Sequence, residues 1–173
     1  ALRSDGSLVA WGDNEFGQCN VPSLMSNLRY IQVSAGYDSV SAVRSDGSAI
    51  AWGRNQFGQC NVPAAPLGLS YVIASTGLDF GVGIRADGTI VGWGTNSQGQ
   101  TTAPPPPPGT AFVHLATGLY HALARSGDPC DLVASYCTAG TTVHGCLPSI
   151  VGIGTPSASG GSGFDIVARY VEG

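Results

Sequence analysis

An internal repeat with a constant step of 41 residues is the feature that most constrains the fold of this chain. Residues 1–22 (ALRSDGSLVAWGDNEFGQCNVP) are similar to residues 42–63 (AVRSDGSAIAWGRNQFGQCNVP), and a third copy (GIRADGTIVGWGTNSQGQTTAP) occupies residues 83–104. The step continues without insertion or deletion as far as Gly118. A regular period of this size is typical of proteins in which each unit buries its apolar face against its neighbours.

Each unit is predicted to form four short strands joined by tight turns. Residues 30–36, 39–45 and 48–53 read as strands, an Asp-Gly turn joins the last two, and residues 59–63 form a short final strand. Because such a meander cannot bury both faces alone, radial stacking into a β-propeller is the commonest solution. The alternative is a β-sandwich with duplicated hairpins, which does not need a constant repeat length. We predict an all-β fold, a partial β-propeller of four-stranded antiparallel blades.

Composition and charge narrow the possible functions. The chain has 173 residues, of which 10% are charged and 43% are apolar, which argues against disorder and against a helical bundle. The net charge is −4 and the seven basic residues, all Arg, are scattered, which argues against nucleic-acid binding. No apolar run reaches the roughly 20 residues of a membrane-spanning helix. We therefore predict no nucleic-acid partner and no membrane span.

The string RSDGSxxAWGxNxFGQ resembles the regulator of chromosome condensation repeat in its short bacterial form. The third copy, VGWGTNSQGQTTAP, is also similar to the blades of secreted propeller-type β-lactamase inhibitor proteins. The resemblance covers about residues 1–127 and implies a propeller that is larger in complete members. The expected units are a partial blade at residues 1–22, blades at about 30–63 and 71–104, and a truncated blade at 112–127. In the last of these the turn glycine, Gly127, comes two residues early and no Trp-Gly follows.

Residues 128–173 differ in composition from the repeats and are predicted to form a small β-rich segment containing Ser, Gly and Cys. The segment resembles a C-terminal domain of secreted bacterial proteins, which implies a secreted or surface-exposed protein. Cys137 and Cys146 are the disulfide candidates, with Cys130 as odd partner or alternative. A zinc site that adds His144 to these cysteines is the other interpretation, although the C-x-x-C spacing is missing. We expect the chain to be a fragment of a longer protein.

Several repeated residues have structural explanations. Cys19 and Cys60 are one repeat apart, too far for a disulfide, and are interpreted as small buried apolar residues. The single Trp of each unit is expected to pack between blades. The proline run that starts at Pro104 is expected to be a stiff connection between blades, with a recognition motif as the alternative.

No constellation of catalytic residues was found, and the protein is predicted to be non-enzymatic and to need no cofactor. The sequence lacks a G-x-S-x-G elbow, an H-E-x-x-H pair and a phosphate-binding loop. Asp5, Asp46 and Asp87 recur before Gly, which indicates hairpin turns. The alternative, a calcium site, lacks neighbouring oxygen ligands.

Topology indicates where a partner would bind. Because neighbouring strands run in opposite directions, the loops after the first and third strands of each unit emerge on one face, and aromatic side chains that differ between such loops are typical of protein-binding surfaces. The candidate contact residues are Tyr37, Asp38, Asp79, Phe80, Tyr120, His121, Phe16 and Phe57. Alternatively, Phe16 and Phe57 fill their own turns, and His121 is a packed structural residue.

The leading hypothesis is a non-enzymatic scaffold that binds a protein of unknown identity through this face. The resemblance to the β-lactamase inhibitors implies enzyme inhibition as an alternative. Guanine-nucleotide exchange, the activity of the best-known eukaryotic member of the repeat family, is a lower alternative, because the chain has few blades and no basic surface. Unpaired blade edges also predict self-association.

Overall fold

The computed structural model describes residues 1–132 as three antiparallel sheets. The first sheet contains β1 (Tyr30–Ala35), β2 (Ser39–Arg44) and β3 (Ala49–Gly53). The second contains β4 (Tyr71–Thr76), β5 (Phe80–Arg85) and β6 (Ile90–Gly94). The third contains β7 (Ala111–Thr117) and β8 (Ala122–Gly127), and a short 3-10 helix, η1 (Pro129–Leu132), follows. The all-β prediction is confirmed, and the chain order within every sheet is that of a meander.

The Asp-Gly turns form as predicted and explain the repeated Asp. Asp46 Oδ1 accepts hydrogen bonds from the backbone N–H of Ser48, at 3.0 Å, and from its hydroxyl. Gly47 has a φ of 80°, a conformation that a residue with a Cβ adopts with strain. These hydrogen bonds hold the pKa of Asp46 below its ordinary value. The same bonds join Asp87 to Thr89 in the next unit, so the repeated carboxylates fix hairpins.

The predicted fourth strand is wrong. Residues 59–63 lie in a turn and an irregular segment, so the complete sheets have three strands. The backbone N–H of Cys60 donates to Asn55 Oδ1 at 2.9 Å, and that of Asn61 donates to Gly58 O at 3.0 Å. Pro63 has no N–H to offer a neighbouring strand. Because local acceptors satisfy these backbone N–H groups, the segment does not have to pair with a strand to satisfy them.

Trp side chains join consecutive units. Trp93 Nε1 donates to Gln59 O at 2.8 Å, and Trp52 Nε1 donates to Gln18 O at 3.0 Å. Trp93 is 5% exposed, and its indole covers Gly81, where an added Cβ would overlap the ring. The expected packing of Trp between units is therefore confirmed at these two positions. Trp11 belongs to the partial first unit and is 74% exposed, so this position does not test the expectation.

Hydroxyl and amide groups link the first strands of consecutive units. The Gln32 side chain donates to Ala74 O at 2.9 Å and accepts from Ala74 N at 3.0 Å. Ser75 Oγ lies 3.1 Å from Ser34 Oγ and 2.8 Å from Thr117 Oγ1. The apolar cluster of Val43, Tyr71, Ala74 and Trp93 lies between the second and third units. Polar links and apolar burial together place the units side by side.

The remaining structural expectations have mixed outcomes. Cys19 and Cys60 are free, as expected of a pair one repeat apart, but they are half-buried instead of buried, and each Sγ donates a hydrogen bond to a backbone oxygen. The proline run lies in the connection between β6 and β7, as its register predicts. Cys137, Cys146, His144 and the predicted strands of the tail lie outside the described residues, and Cys130 falls in η1 with its side chain outside the description. Among residues 1–132, no helix is long and apolar enough to cross a membrane.

Candidate partner-binding face

The loops after the first and third strands meet in the second and third units, as the topology predicts. The backbone N–H of Arg54 donates to Asp38 O at 2.8 Å, and that of Thr95 donates to Asp79 O at 2.9 Å. Glycine at position 94 is required at this approach, because an added Cβ would crowd Asp79 O. We call this surface the loop face; it comprises residues 13–18, 36–38, 54–59, 77–79, 95–100 and 118–121.

Three exposed aromatic side chains lie on the loop face, two in the second unit and one in the fourth. Tyr37 is 66% exposed, Phe57 is 51% exposed and Tyr120 is 58% exposed. Leu119, beside Tyr120, is also exposed and was not among the predicted contact residues. Asp79 is half-buried, and its Oδ1 accepts a hydrogen bond of 3.3 Å from Gln59 Nε2. Large exposed apolar side chains of this kind provide the anchors of protein interfaces.

Two of the predicted contact residues are buried, which removes them as direct contacts. Phe80 is fully buried, and its ring lies over Gly77 in its own loop. Asp38 is 9% exposed and forms an ion pair with Arg54, with 3.4 Å between Oδ2 and Nη1. The sequence pattern placed Asp38 in the correct loop and Phe80 one residue too early, since Phe80 begins β5, and it could not show which way either side chain points. His121 is exposed as a residue, and its ring packs over Gly118.

Arg54 is a loop-face residue that the sequence reasoning missed. Its guanidinium lies 5.4 Å from the ring centroid of Phe16 and 5.7 Å from that of Phe57. This stacking of a cation on two rings joins the first and second units. Phe16 is half-buried, whereas Phe57 is 51% exposed. Asp13 and Thr95 replace Arg54 in the other units, and this difference was the available signal.

Carboxylates outnumber basic side chains on the loop face. The described loop face contains four carboxylates and one Arg; the carboxylates are Asp13, Glu15, Asp38 and Asp79. Gln18 Nε2 donates to Asp13 Oδ2 at 2.8 Å, so one of these carboxylates is hydrogen-bonded to a neutral amide side chain. No group of three metal-ligating side chains occurs within residues 1–132. The loop face is therefore aromatic and mildly acidic.

The opposite face contains the Asp-Gly turns and the connections between units, and two apolar side chains of the connections are exposed there. Met25 is 77% exposed and Leu67 is fully exposed. Both lie in the connections that lead into the first strand of the next unit. They are isolated side chains, one for each connection, and they provide matched controls for the aromatic residues of the loop face.

The sheets, stacked one repeat apart and joined by Trp and hydroxyl contacts, define a repeat protein of the β-propeller class. A family model for the regulator of chromosome condensation (RCC1) repeat matches residues 1–18, 30–59 and 72–100. The chain belongs to the RCC1-repeat propeller family. No curated protein is similar to the chain at a significant level.

Solved structures with the same fold include two of yeast RCC1. The protein Prp20 in complex with Kap60 matches with a TM-score of 0.56 and 18% identity, over 71% of this chain and 38% of that one. A second structure, of Prp20p from Saccharomyces cerevisiae, matches with a TM-score of 0.51 and 22% identity, over 61% of this chain and 30% of that one. The ectodomain of the Physcomitrella patens receptor kinase CR4 matches with a TM-score of 0.50 and 25% identity, over 67% of this chain and 34% of that one. The chain thus spans about a third of the length of these structures.

Proposed function

We propose that this chain is part of a non-enzymatic binding protein whose loop face contacts a protein partner. Proteins of the RCC1-repeat propeller family are generally non-enzymatic regulators or binding proteins. Among the structural neighbours, Prp20 binds Kap60, and its binding to Gsp1p and histones has been studied. Those partners belong to Prp20, and the partner of this chain is unidentified. We also propose a secreted or surface location, which rests on the resemblance of the tail.

The observation that carries this proposal is the exposure of Tyr37, Phe57 and Tyr120 on one face. Exposed rings of this size are the side chains that most often supply binding energy when a partner covers them. They are presented by loops that backbone hydrogen bonds hold against each other, so little ordering is needed on binding. Arg54, held between two rings, adds a rigid donor to the same surface.

A comparison of two multiple variants tests the proposal. Peptides selected from a phage-displayed library against the purified chain would be titrated against Tyr37→Ala/Phe57→Ala/Tyr120→Ala and against Met25→Ala/Leu67→Ala. We expect the loop-face variant to bind at least about 10-fold more weakly, because each lost anchor costs about 1 kcal/mol or more. The opposite-face variant should bind as the unsubstituted chain does. Equal binding by all three proteins, with circular dichroism unchanged, would refute the proposal.

Enzyme inhibition is the second candidate, favoured by the resemblance of the VGWGTNSQGQTTAP unit to the β-lactamase inhibitor blades. This function is tested by adding micromolar protein to a β-lactamase assay. An unchanged rate of β-lactam hydrolysis would refute inhibition. Guanine-nucleotide exchange is the third, and the RCC1 neighbours fit it as well. Release of a fluorescent nucleotide from a small GTPase, measured with and without the chain, tests that activity.

Self-association is proposed from the edge of the last described sheet. β8 pairs with β7 on one side, and no other strand within residues 1–132 pairs with it. Leu123, the second residue of β8, is 66% exposed. An unpaired strand edge with exposed apolar side chains is a template for pairing with another chain. The occupant proposed for this edge is a second copy of the protein.

A further inference from the structure

The proline run, Pro104–Pro108, is a motif that the loop face does not use, because it lies in a connection on the opposite face. Four of its five residues are exposed, and Pro106, in the middle, is half-buried. The run belongs to no strand, and β6 and β7 hold its two ends. An exposed apolar segment is therefore presented to solvent by two strands of the fold.

The connection does not need so many prolines. It ends in a turn closed by the hydrogen bond from Thr110 N to Pro107 O, at 3.1 Å, and the same bond closes the other two connections. The three connections are equal in length and differ in sequence: PPPPPG at residues 104–109, PAAPLG at 63–68 and PSLMSN at 22–27. Because the other two sequences make the same turn, the additional prolines need an explanation other than the fold.

Steric rules fix the backbone of the run. A proline ring holds φ at about −65°, and a residue that precedes proline takes a ψ of about +120° to +160°. Both rules apply to every residue from Pro104 to Pro107, and together they define the polyproline II helix, with φ of about −75° and ψ of about +145°. Gly109, with a φ of 79°, then ends the run in its turn. The run is thus ordered before a partner binds, which lowers the cost of binding.

Exposure along the run follows the period of this helix. Polyproline II has three residues per turn, so residues three apart share an edge. Two edges are exposed, and their members are Pro104 with Pro107 and Pro105 with Pro108. The third edge is Pro106, which is half-buried against the protein. The fold therefore covers one edge of the helix and leaves two for a partner.

The first carbonyl of the run lacks the hydrogen bond that its equivalents accept. In the two preceding connections a Tyr hydroxyl donates to the first proline: Tyr30 to Pro22 O at 2.8 Å, and Tyr71 to Pro63 O at 2.7 Å. Phe112 takes the place of these tyrosines and has no hydroxyl, although it lines the same hollow as Pro104. Among residues 1–132, hydrogen bonds to the run reach Pro107 O and none reaches Pro104 O. This carbonyl is left to accept a hydrogen bond from a partner.

The chemistry of the run defines the kind of partner. Proline has no N–H, so the run offers carbonyl acceptors and apolar rings. Residues 88–124 contain no Asp, Glu, Lys or Arg, so the run has no charged neighbours in the sequence. The partner must supply hydrogen-bond donors and flat apolar surfaces. Grooves lined by aromatic side chains have these properties and recognise polyproline II segments.

We propose that the proline run binds a protein domain through a groove lined by Trp and Tyr side chains. The two exposed edges lie against the aromatic rings, and an indole N–H or a phenol O–H donates to Pro104 O. The site lies on the opposite face and does not depend on the partner of the loop face. One chain then binds two proteins, one on each face.

Purified domains that recognise polyproline II segments test the site directly. The full chain, labelled with nitrogen-15, is titrated with a WW, an SH3 and an EVH1 domain. The backbone amides of Ala103 and Gly109, on either side of the run, report binding by NMR. We expect at least one domain to bind with a Kd below about 1 mM and to shift these amides but not that of Tyr37. No binding by any of the three domains, or binding at the loop face alone, would overturn the proposal.

Two single variants distinguish contact from conformation. Pro105→Ala changes an exposed edge, whereas Pro106→Ala changes the edge that faces the protein. The preceding connection has Ala64 and Ala65 at these positions, so the fold accepts either change. Both variants loosen the helix to a similar degree. We expect Pro105→Ala to bind the domain at least about 5-fold more weakly than Pro106→Ala does. Equal affinities would contradict the assignment of the edges.

A triple variant removes the site while keeping the connection. Pro105→Ala/Pro106→Ala/Pro108→Leu gives residues 104–109 the sequence PAAPLG, which already forms this connection at residues 63–68. We expect it to lose binding of the domain with its circular dichroism unchanged. Binding at the original affinity would refute the site.

Phe112→Tyr tests the free carbonyl and leaves every proline in place. It restores the hydroxyl that Tyr71 has at the equivalent position, so it should occupy Pro104 O. We expect the affinity for the domain to fall about 2- to 10-fold, the effect of one hydrogen bond. An unchanged affinity would overturn the role given to Pro104 O.

The loop-face triple variant separates this inference from the proposed function. Tyr37→Ala/Phe57→Ala/Tyr120→Ala should bind the domain as the unsubstituted chain does. Loss of domain binding in this variant would refute a separate site on the opposite face. If instead the variant binds the domain and also keeps its affinity for the selected peptides, the proposed function fails and the proline site stands.

Discussion

Replacement of the Trp residues one at a time tests whether the contacts between units stabilise this fold. Trp93→Phe removes the 2.8 Å hydrogen bond to Gln59 O and part of a side chain that is 5% exposed. A buried carbonyl left without its donor costs about 1–3 kcal/mol. The smaller ring adds about 1 kcal/mol for lost packing. We expect Trp93→Phe to lower the free energy of unfolding by about 2–4 kcal/mol, a large part of a typical total of about 5–15 kcal/mol.

The chain provides its own controls for this substitution. Trp52 makes the equivalent bond at 3.0 Å but is half-buried, so Trp52→Phe should cost less than Trp93→Phe. Trp11 is 74% exposed, and Trp11→Phe should stay within about 0.5 kcal/mol of the unsubstituted chain. Urea unfolding followed by far-ultraviolet circular dichroism gives all three values without relying on Trp fluorescence. Equal costs at Trp11 and Trp93, or no cost at Trp93, would refute the role assigned to this contact.

Three further measurements follow from individual side chains. Hydrogen bonds from Ser48 lower the pKa of Asp46 in the folded chain, so its stabilising effect is full above the unfolded pKa and is lost as the pH falls through the folded pKa. The free energy of unfolding of Asp46→Ala should therefore be lower than that of the unsubstituted chain at pH 6, and the two values should converge in strong acid. A difference that does not change with pH would contradict this. Burial raises the pKa of Cys60 to about 11, so mass spectrometry should find Cys60 largely unalkylated after brief iodoacetamide treatment at pH 8, and rapid modification would contradict it. Sedimentation equilibrium should show concentration-dependent association that Leu123→Arg weakens and Leu67→Arg does not, whereas a monomer at all concentrations would remove the proposed strand pairing.

The strands were predictable where local chemistry decides them. The first three strands of the second unit lie within one residue of the predicted bounds, because alternating small side chains and the Asp46 turn act over a few residues. The prediction of a fourth strand was wrong because the backbone N–H of Cys60 donates to the side chain of Asn55 and is not available to a neighbouring strand. A sequence pattern shows that a segment is short and apolar, but it does not show where its hydrogen bonds go.

The candidate site was predictable to the level of loops and no further. The antiparallel order of strands placed Tyr37 and Asp38 on the correct face. Only the structure shows that Tyr37 points to solvent while its neighbour pairs with Arg54. Arg54 itself was missed because it interrupts the repeat, and a search for repetition treats such a residue as variation.

The sequence by itself determined the units of this protein, their constant length and their order around the loop face. These properties depend on turns and on alternation within 41 residues, and every copy carries them. Only the tertiary structure decided which of the equivalent side chains in the repeats are buried and which are exposed. Trp93 is buried because a complete unit stands beside it, whereas Trp11, with the same local sequence, is exposed. Burial depends on the atoms that neighbouring units bring to a side chain, and the local sequence does not contain this information.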